Sequence, residues 1–523
     1  MSAKTLMIQG TGSSVGKSLI VTALCRIFAR QGVSVAPFKS QNMSLNSFIT
    51  DEGHEMGRAQ VVQAEAAGLS PSSLMNPVLL KPCGDRVSQV IVNGAVRATL
   101  TAWEYHTFRA TLTEDVLKAF NTLAARHDLI LIEGAGSPAE INLRENDLAN
   151  MGMAELADAP VVLVGDIDRG GVFASLYGTV KLLEEAEQRR IRACIINKFR
   201  GDAAILEPGL RQLESLLARP VLGVLPYMDV RIDEEDSLTG RLDRGRNKTE
   251  GVTPGHAPAD AVDIAVIRLP RLSNFTDFAV FDMMPDAAPR YVGGAGEVGS
   301  PDCIILPGSK NTMGDMLFLR ESGLADRILD LHRRGTPVIG ICGGYQMLGR
   351  VIHDPEGVES GCPEMPGLGL LAMETRFFPH KRTTQTVMRI CPEAARAGIL
   401  RGTEGLLLKG YEIHMGESRA RGGAALAPLG TREDGSAEGA VNAEGTVFGT
   451  YLHGVFDSLA FTRTLLNNLR AGKGLPPLAA TSAPDARYED FRRAEYDRLA
   501  DQVAAHLDMD ALTRIIETWG NAG

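Results

Sequence analysis

Cys342 lies in Gly340-Ile341-Cys342-Gly343-Gly344, directly after the apolar run Thr336-Pro337-Val338-Ile339 and before Tyr345-Gln346-Met347-Leu348. A thiol at that junction sits where a buried strand turns sharply into a helix, the G-x-C-x-G form of a nucleophile elbow. Glycines on both sides allow the strained turn and a close substrate approach, and a helix N-terminus behind a thiol favours its thiolate. Such a thiolate attacks an acyl or amide carbon. Taken alone, the residue has a competing reading as an inert buried cysteine. His453, in Tyr451-Leu452-His453-Gly454-Val455-Phe456, closes another apolar run, from which an imidazole can reach the thiol as general base and acid. His414, in Gly410-Tyr411-Glu412-Ile413-His414-Met415-Gly416, is the second histidine that could serve. Leu306-Pro307-Gly308-Ser309-Lys310-Asn311 also follows an apolar run. A donor near Gly308 or Ser309 would form an oxyanion hole with the Gly343 N–H.

A different chemistry is written into Gly10-Thr11-Gly12-Ser13-Ser14-Val15-Gly16-Lys17-Ser18. It follows the short apolar run Leu6-Met7-Ile8 and precedes Ile20, Leu24, Ile27 and Phe28 at helical spacing, with Gly32 as the stop. Backbone N–H groups of such a loop surround phosphate oxygens, Lys17 adds positive charge and the Ser18 hydroxyl can hold Mg²⁺. The loop departs from G-x-x-x-x-G-K-[ST] at one place: Thr11 occupies the first glycine position, with glycines at 10 and 12. Gln41 and Asn42 belong to a stretch, Phe38 to Ser47, dense in amides and hydroxyls, which suits an acidic, amide-bearing substrate. Asp166-Ile167-Asp168-Arg169 ends another apolar run, where its carboxylates serve phosphate, metal, substrate or loop geometry.

These residues must be held by something, and the apolar runs say what. Runs at 6–10, 33–38, 129–133, 161–165, 193–197 and 221–225 are short and mostly separated by helix-like segments. Buried strands alternating with helices predict a parallel α/β sheet with its ligands at the strands' carboxyl ends. A second α/β series begins at Asp263 and includes 303–306, the elbow strand and 446–453. Between them, apolar periodicity fails over Asp233-Glu234-Glu235-Asp236 and the Arg/Gly/Pro-rich residues that follow, which predicts a linker over 233–260. The expected division is a first domain at 1–232, a second at 261–472 and a helical terminal elaboration at 473–523. A chain of 523 residues with 44% hydrophobic and 23% charged residues has material for several cores. Its net charge of -10 argues against a general nucleic-acid or membrane-surface binder. Seven scattered cysteines without C-x-x-C spacing suggest neither a disulfide framework nor a zinc site. With no signal-peptide core and no run of about 20 apolar residues, the expected location is the cytoplasm.

The phosphate loop resembles that of dethiobiotin synthetase and its relatives, which activate carboxylates or amines with ATP. The resemblance implies that Lys39 faces substrate or phosphate, Glu133 in Ile132-Glu133-Gly134-Ala135-Gly136 holds Mg²⁺, and Asn197 reads the nucleotide base. Glu55 is the candidate for a second metal carboxylate, so that Ser18, Glu55 and Glu133 form an oxygen set of the kind magnesium favours. The second half resembles the class I, triad-type glutamine amidotransferase domain, whose thiolate releases ammonia from glutamine. Its usual third member, a glutamate two positions after the histidine, is Val455 here, which leaves the histidine's orienting partner unidentified.

Across nearly the whole length the sequence resembles the glutamine-hydrolysing adenosylcobyric acid synthase family. The resemblance rests on Pro37–Met43, Leu131–Leu143, Asp166–Phe173, Leu272–Phe278, Leu306–Thr312 and Gly410–Glu417. It implies amidation of the b, d, e and g carboxylates of adenosylcobyrinic acid a,c-diamide, with L-glutamine and MgATP consumed each time. The corrinoid is then a substrate, no prosthetic group is expected, and Asp147 lies where the family has an acidic active-site residue. A homo-oligomer is compatible with all of this. The competing readings are a cobyrinic acid a,c-diamide synthase, a P-loop partitioning ATPase of the ParA/MinD kind and a corrinoid-binding carrier.

Overall fold

The computed structural model describes residues 3–83, 86–232, 258–422, 426–479 and 488–520. Most of the expected linker, 233–257, lies outside them. The chain divides into two compact units: Met1–Ser44, His54–Glu235 and Phe491–Gly523 form the first, Leu45–Gly53 and Asp236–Asp490 the second. Both are α/β. Among the described residues no helix is long and apolar enough to cross a membrane.

In the first unit six strands run in the order Val221–Pro226, Ile191–Phe199, Val161–Asp166, Lys4–Gly10, Leu129–Glu133, Val35–Phe38, and every adjacent pair is parallel. Leu129–Glu133 is buried at each position and Lys4–Gly10 at all but the first. Near-continuous burial is what a parallel sheet covered on both faces requires. Parallel strands bring their carboxyl ends to one edge, so Gly10, Phe38, Glu133, Asp166 and Asn197 gather there. From that edge the helix Lys17–Arg30 departs, with Gly16 at φ 101 in a conformation that a side chain disfavours. A separate four-stranded sheet carries Gln41–Met43 and Val78–Pro82.

The two terminal helices, Tyr488–His506 and Met509–Thr518, complete the core of the first unit. Their Leu499, Val503, Leu512 and Ile516 pack in one cluster with Leu6, Ile20, Leu24 and Ala193. A two-pronged ion pair pins them: Arg26 donates through Nε and Nη2 to Asp497 at 2.8 and 2.9 Å. Gly223 permits the closest approach, because a Cβ there would lie 2.0 Å from the His506 carbonyl oxygen. The helical tail foreseen as an elaboration is therefore a structural layer of the nucleotide-loop unit.

The second unit has a sheet ordered Ala287–Val292, Val262–Ile267, Cys303–Leu306, Val338–Ile341, Val447–Thr450, Ala440–Val441, parallel except at the last pair. A second sheet is built on the long antiparallel pair Met373–Ile390 and Leu407–Ala420. Leu452–His453 joins that second sheet, with Tyr411 opposite His453. Thr450 ends a strand of the first sheet. The chain thus changes sheets within three residues, which fixes His453 at the carboxyl edge where the elbow strand also ends.

Candidate active sites

Cys342 has φ 51 and ψ -107, a strained conformation for a residue with a side chain and the one a nucleophile elbow demands. Its N–H donates to the Thr450 carbonyl at 2.8 Å, and the Gly344 N–H to Pro307 at 3.0 Å. Both glycines are sterically required. A Cβ at Gly344 would lie 2.0 Å from the Leu306 carbonyl oxygen, and one at Gly340 would lie 2.7 Å from the Gly344 oxygen. The thiol is nearly buried and directs its Sγ to the Ile413 carbonyl at 3.5 Å.

His453 is buried beside it. Its Nδ1 donates to Asp277 Oδ2 at 2.8 Å, while the other carboxylate oxygen accepts from the Gly454 N–H at 2.9 Å. That pairing fixes the tautomer and leaves Nε2, which apart from the Cys342 thiol has no hydrogen-bond partner among the described residues. Burial by itself lowers the imidazole's pKa. The charge and hydrogen bond of Asp277 outweigh it, and with the contribution of Cys342 they raise the value to about 10. Asp277 thus fills the orienting role that the sequence, with Val455 two positions beyond the histidine, left open. It sits on the 3₁₀ turn Phe275–Met283, inside Leu272–Phe278, one of the stretches that carried the family resemblance. The signal available was a carboxylate among apolar neighbours shortly after a strand.

The Gly308-Ser309 loop meets both partners. A Cβ at Gly343 would lie 2.9 Å from the Ser309 nitrogen, and one at Gly308 would lie 3.1 Å from His453 Cε1. Of the three residues named for an oxyanion hole, Gly308 thus adjoins the imidazole and Ser309 adjoins Gly343, the residue after the thiol. His414 is committed elsewhere: Nδ1 pairs with the Gly416 carbonyl at 2.7 Å, Nε2 with Glu412 at 3.3 Å, and the ring stacks on Tyr451 at 3.8 Å. Burial raises the Glu412 pKa, but bonds from His414 and Arg432 overcome it and lower the value to about 2.

In the first unit, Glu133 is fully buried and collects four donors. Ser18 Oγ is 2.9 Å and Lys39 Nζ 2.8 Å from Oε1; Gln63 Nε2 is 2.5 Å and Gln60 Nε2 3.5 Å from Oε2. Asn42 joins this network through Gln60 Oε1 at 2.9 Å, and Gln41 accepts from the Tyr105 hydroxyl at 2.7 Å. Gln60 and Gln63 are additions to the residues expected from sequence; their clue was amide spacing of three on the buried helix Arg58–Ala66. Lys17 Nζ bridges the carbonyls of Gly12 at 2.9 Å and Gly136 at 3.1 Å, tying the phosphate loop to the segment after Glu133.

The loop Gly10, Thr11, Gly12, Ser13, Ser14, Val15, Gly16 is buttressed from Ile191–Phe199, two strands away from the strand that feeds it. Asn197 donates to the Val15 carbonyl at 2.8 Å while its own buried Oδ1 accepts no hydrogen bond among the described residues. Lys198 links Ser14 to Asp166 at 2.6 and 2.8 Å, and Asp166 also accepts from the Asp168 N–H at 2.9 Å. The Asp166 carboxylate thus braces the loop, and that of Asp168 pairs with Arg200 at 3.2 Å. Glu55 is engaged by Lys81 at 2.8 Å in a buried ion pair. Asp147 accepts from the N–H groups of Ala149, Asn150 and Gly152 at 2.8 to 3.1 Å, bracing the start of the helix Met151–Leu156. Neither is joined by these bonds to the Ser18–Glu133 network. Among the described residues no group of three or more His, Cys, Asp or Glu side chains forms a metal cluster.

Residues 6–238 match the family described as CobQ/CobB/MinD/ParA nucleotide binding domain, and residues 263–461 the CobB/CobQ-like glutamine amidotransferase domain. Curated relatives named cobyric acid synthase align over almost everything. That of Yersinia enterocolitica is 51% identical over 98% of this chain and 98% of its own. That of Caldanaerobacter subterraneus is 51% identical over 99% of each, and that of Alkaliphilus metalliredigens 51% identical over 98% of this chain and 99% of its own.

Proposed function

The chain belongs to the cobyric acid synthase family, and from that premise we propose that it amidates the b, d, e and g carboxylates of adenosylcobyrinic acid a,c-diamide, using glutamine and ATP. The observation that carries the glutamine half of this reading is the buried Cys342–His453–Asp277 constellation beside the Gly308-Ser309 loop.

In the glutaminase step His453 Nε2 takes the Cys342 thiol proton as Sγ bonds to the side-chain amide carbon of glutamine, whose C=O π electrons move to oxygen. The oxyanion that develops is met by N–H groups at Gly343 and at Gly308 or Ser309. His453 delivers a proton to the departing nitrogen, the C–N bond breaks and ammonia leaves. Water, deprotonated by His453, then cleaves the thioester to glutamate and free thiol.

In the ligase step a corrinoid carboxylate oxygen attacks the γ-phosphorus of ATP, ADP departs and an acyl phosphate remains. Ammonia attacks its carbonyl carbon, phosphate leaves with the C–O electrons, and the nitrogen gives up one proton, which the departing phosphate can take. The loop from Gly10 to Ser18 is assigned to the polyphosphate and Asn197 to the base; its Oδ1, without a partner among the described residues, supports that assignment. The Ser18 hydroxyl and the Glu133 carboxylate, 2.9 Å apart, are hard oxygens of the type Mg²⁺ selects, and they are the residues that would hold it. Bound there, the ion would neutralise phosphate charge. Lys39, Gln41, Asn42 and Asp147 are assigned to the acceptor carboxylate; Lys39 and Asn42, which bond to Glu133 and Gln60, support that assignment.

Purified protein given glutamine and MgATP should convert the a,c-diamide to the product with four further amides, read by mass spectrometry. Amide gain on the unamidated acid with none on the diamide would instead identify an a,c-diamide synthase.

Asp277→Asn tests the orienting role. Glutamine-dependent turnover should fall about 10²-fold, because the tautomer is no longer fixed and the imidazolium no longer stabilised. The stability difference has a defined pH window. A histidine whose folded pKa is raised from 6.5 to about 10 contributes stability fully present below 6.5 and lost as pH rises through 10. Thermal denaturation should show the variant's deficit largest below pH 6.5 and shrinking toward pH 10; a deficit that grew with pH would contradict the pairing.

A further inference from the structure

Residues 45–53 leave the first unit and lie in the second, between Ser44 and His54, which remain in the first. Nothing in nucleotide or carboxylate chemistry asks for that excursion. Its contacts converge on the glutaminase centre from two directions.

One direction ends at His453. The Tyr411 hydroxyl donates to the Ser47 carbonyl at 3.0 Å, and the Phe48 ring meets the Tyr411 ring edge-on at 5.1 Å. The opposite face of the contact is catalytic: Tyr411 stacks on His453 at 5.3 Å with 21° between planes. Ile49 packs with Tyr411 and with Ile413, whose carbonyl receives the Cys342 thiol. The other direction ends at Asp277. Asn274, in the left-handed conformation at φ 53, starts the turn that carries Asp277. Its Nδ2 donates to the Ser47 carbonyl at 3.2 Å and to the Tyr411 hydroxyl at 2.8 Å, while Thr276 donates to the Asn46 side chain at 3.3 Å. Gln385 to the Ile49 carbonyl and Thr383 to the Gly53 carbonyl at 3.0 Å hold the remaining length.

We propose that Leu45–Gly53 is a positioning element of the glutaminase centre, acting on His453 through Tyr411 and on the Asp277 turn through Asn274. The inference rests on the reading of Cys342, His453 and Asp277 given above. The contacts above reach Tyr411, Asn274 and Thr276, the side chains that border the His453–Asp277 pair. Each acts one side chain away, where a shift of the imidazole by a fraction of an ångström changes turnover more than binding. The glutaminase centre is then completed by a stretch of chain whose two ends are anchored in the ligase unit, through Ser44 N–H to Leu80 at 3.1 Å and Glu55 N–H to Gly94 at 3.0 Å.

The test uses the full chain. Phe48→Ala removes the edge contact, and Tyr411→Phe removes both hydroxyl bonds while keeping the stacked ring. Each should lower kcat for glutamine-driven amide formation about tenfold, with KM for glutamine within about twofold and ammonium-driven amide formation within about twofold. Phe48→Leu, which restores apolar bulk, should recover most of the glutamine-driven rate. Equal losses with both nitrogen sources would overturn the proposal, because the segment would then serve the fold or the ligase unit. Unchanged glutamine-driven rates in Phe48→Ala and Tyr411→Phe, alongside an inactive Cys342→Ser, would overturn it alone. Glutamine-driven synthesis retained by Cys342→Ser would overturn the reading of the centre itself and this proposal with it.

Discussion

Cys342→Ser should abolish glutamine-dependent amidation, by on the order of 10³-fold or more, and leave amidation from added ammonium salt near its original rate. The reasoning starts from the nucleophile. A hydroxyl replaces a thiol of nearly the same size in a turn already strained at φ 51, so the elbow has no new steric cost to meet. The hydrogen bond to the Ile413 carbonyl has a donor in either residue. What changes is intrinsic nucleophilicity, since a serine hydroxyl beside His453 loses the readily ionised sulfur that attack on an amide needs. Ammonium salt bypasses that step by supplying the nitrogen directly, and the phosphate loop and Glu133 belong to the other unit. Parallel assays of amide formation with glutamine and with ammonium chloride, plus glutamate release, read the outcome. Loss with both nitrogen sources would make Cys342 structural; retention with glutamine would remove it from the chemistry.

The chemistry-bearing peptides were legible because each is local. The phosphate loop is nine consecutive residues from Gly10 to Ser18. The elbow is five, and the glycines that flag it are those whose Cβ would strike the neighbouring backbone. Strand runs such as Leu129–Glu133 announce a parallel sheet because both faces are buried. Interactions that join distant peptides were not legible. Asp277 stands 176 positions from His453, and Tyr411 364 from Ser47. No periodicity links such pairs, because the sheet order that brings them together is not a property of either peptide. The same limit explains the terminal helices, whose apolar positions say that they pack but not that Leu499 and Val503 pack with Leu6 and Ile20. Glu55 and Asp147 illustrate the converse. A carboxylate picked out of a polar stretch is drawn equally to a buried lysine, as with Lys81, or to backbone N–H groups at a helix start.

Lys17→Ala should stop synthesis with either nitrogen source, reducing it about 10²-fold or more, equivalent to about 3 kcal/mol of lost transition-state stabilisation. The charge removed is the one assigned above to the polyphosphate, and the nearby lysines are engaged elsewhere: Lys39 is bound to Glu133 at 2.8 Å and Lys198 to Asp166 at 2.8 Å. A second consequence is structural. Lys17 joins the Gly12 and Gly136 carbonyls, so its loss frees the phosphate loop from the segment that follows Glu133. The two effects separate experimentally. Lys17→Arg keeps the charge but changes its shape and reach, and should restore part of the loop's order without restoring the phosphate contact of a compact ammonium. The state of the second unit is read independently, from the rate at which Cys342 is alkylated by a glutamine-like electrophile. That rate should stay within about twofold in both variants, because the Cys342–His453–Asp277 bonds lie wholly within the second unit. Ammonium-driven synthesis that survived Lys17→Ala would mean that carboxylate activation does not pass through this loop. Simultaneous loss of Cys342 alkylation would show that the substitution had unfolded the chain instead. The expected pattern is synthesis lost with both nitrogen sources and the thiol still reactive, the mirror image of Cys342→Ser, and the two variants together assign nitrogen release to one unit and carboxylate activation to the other.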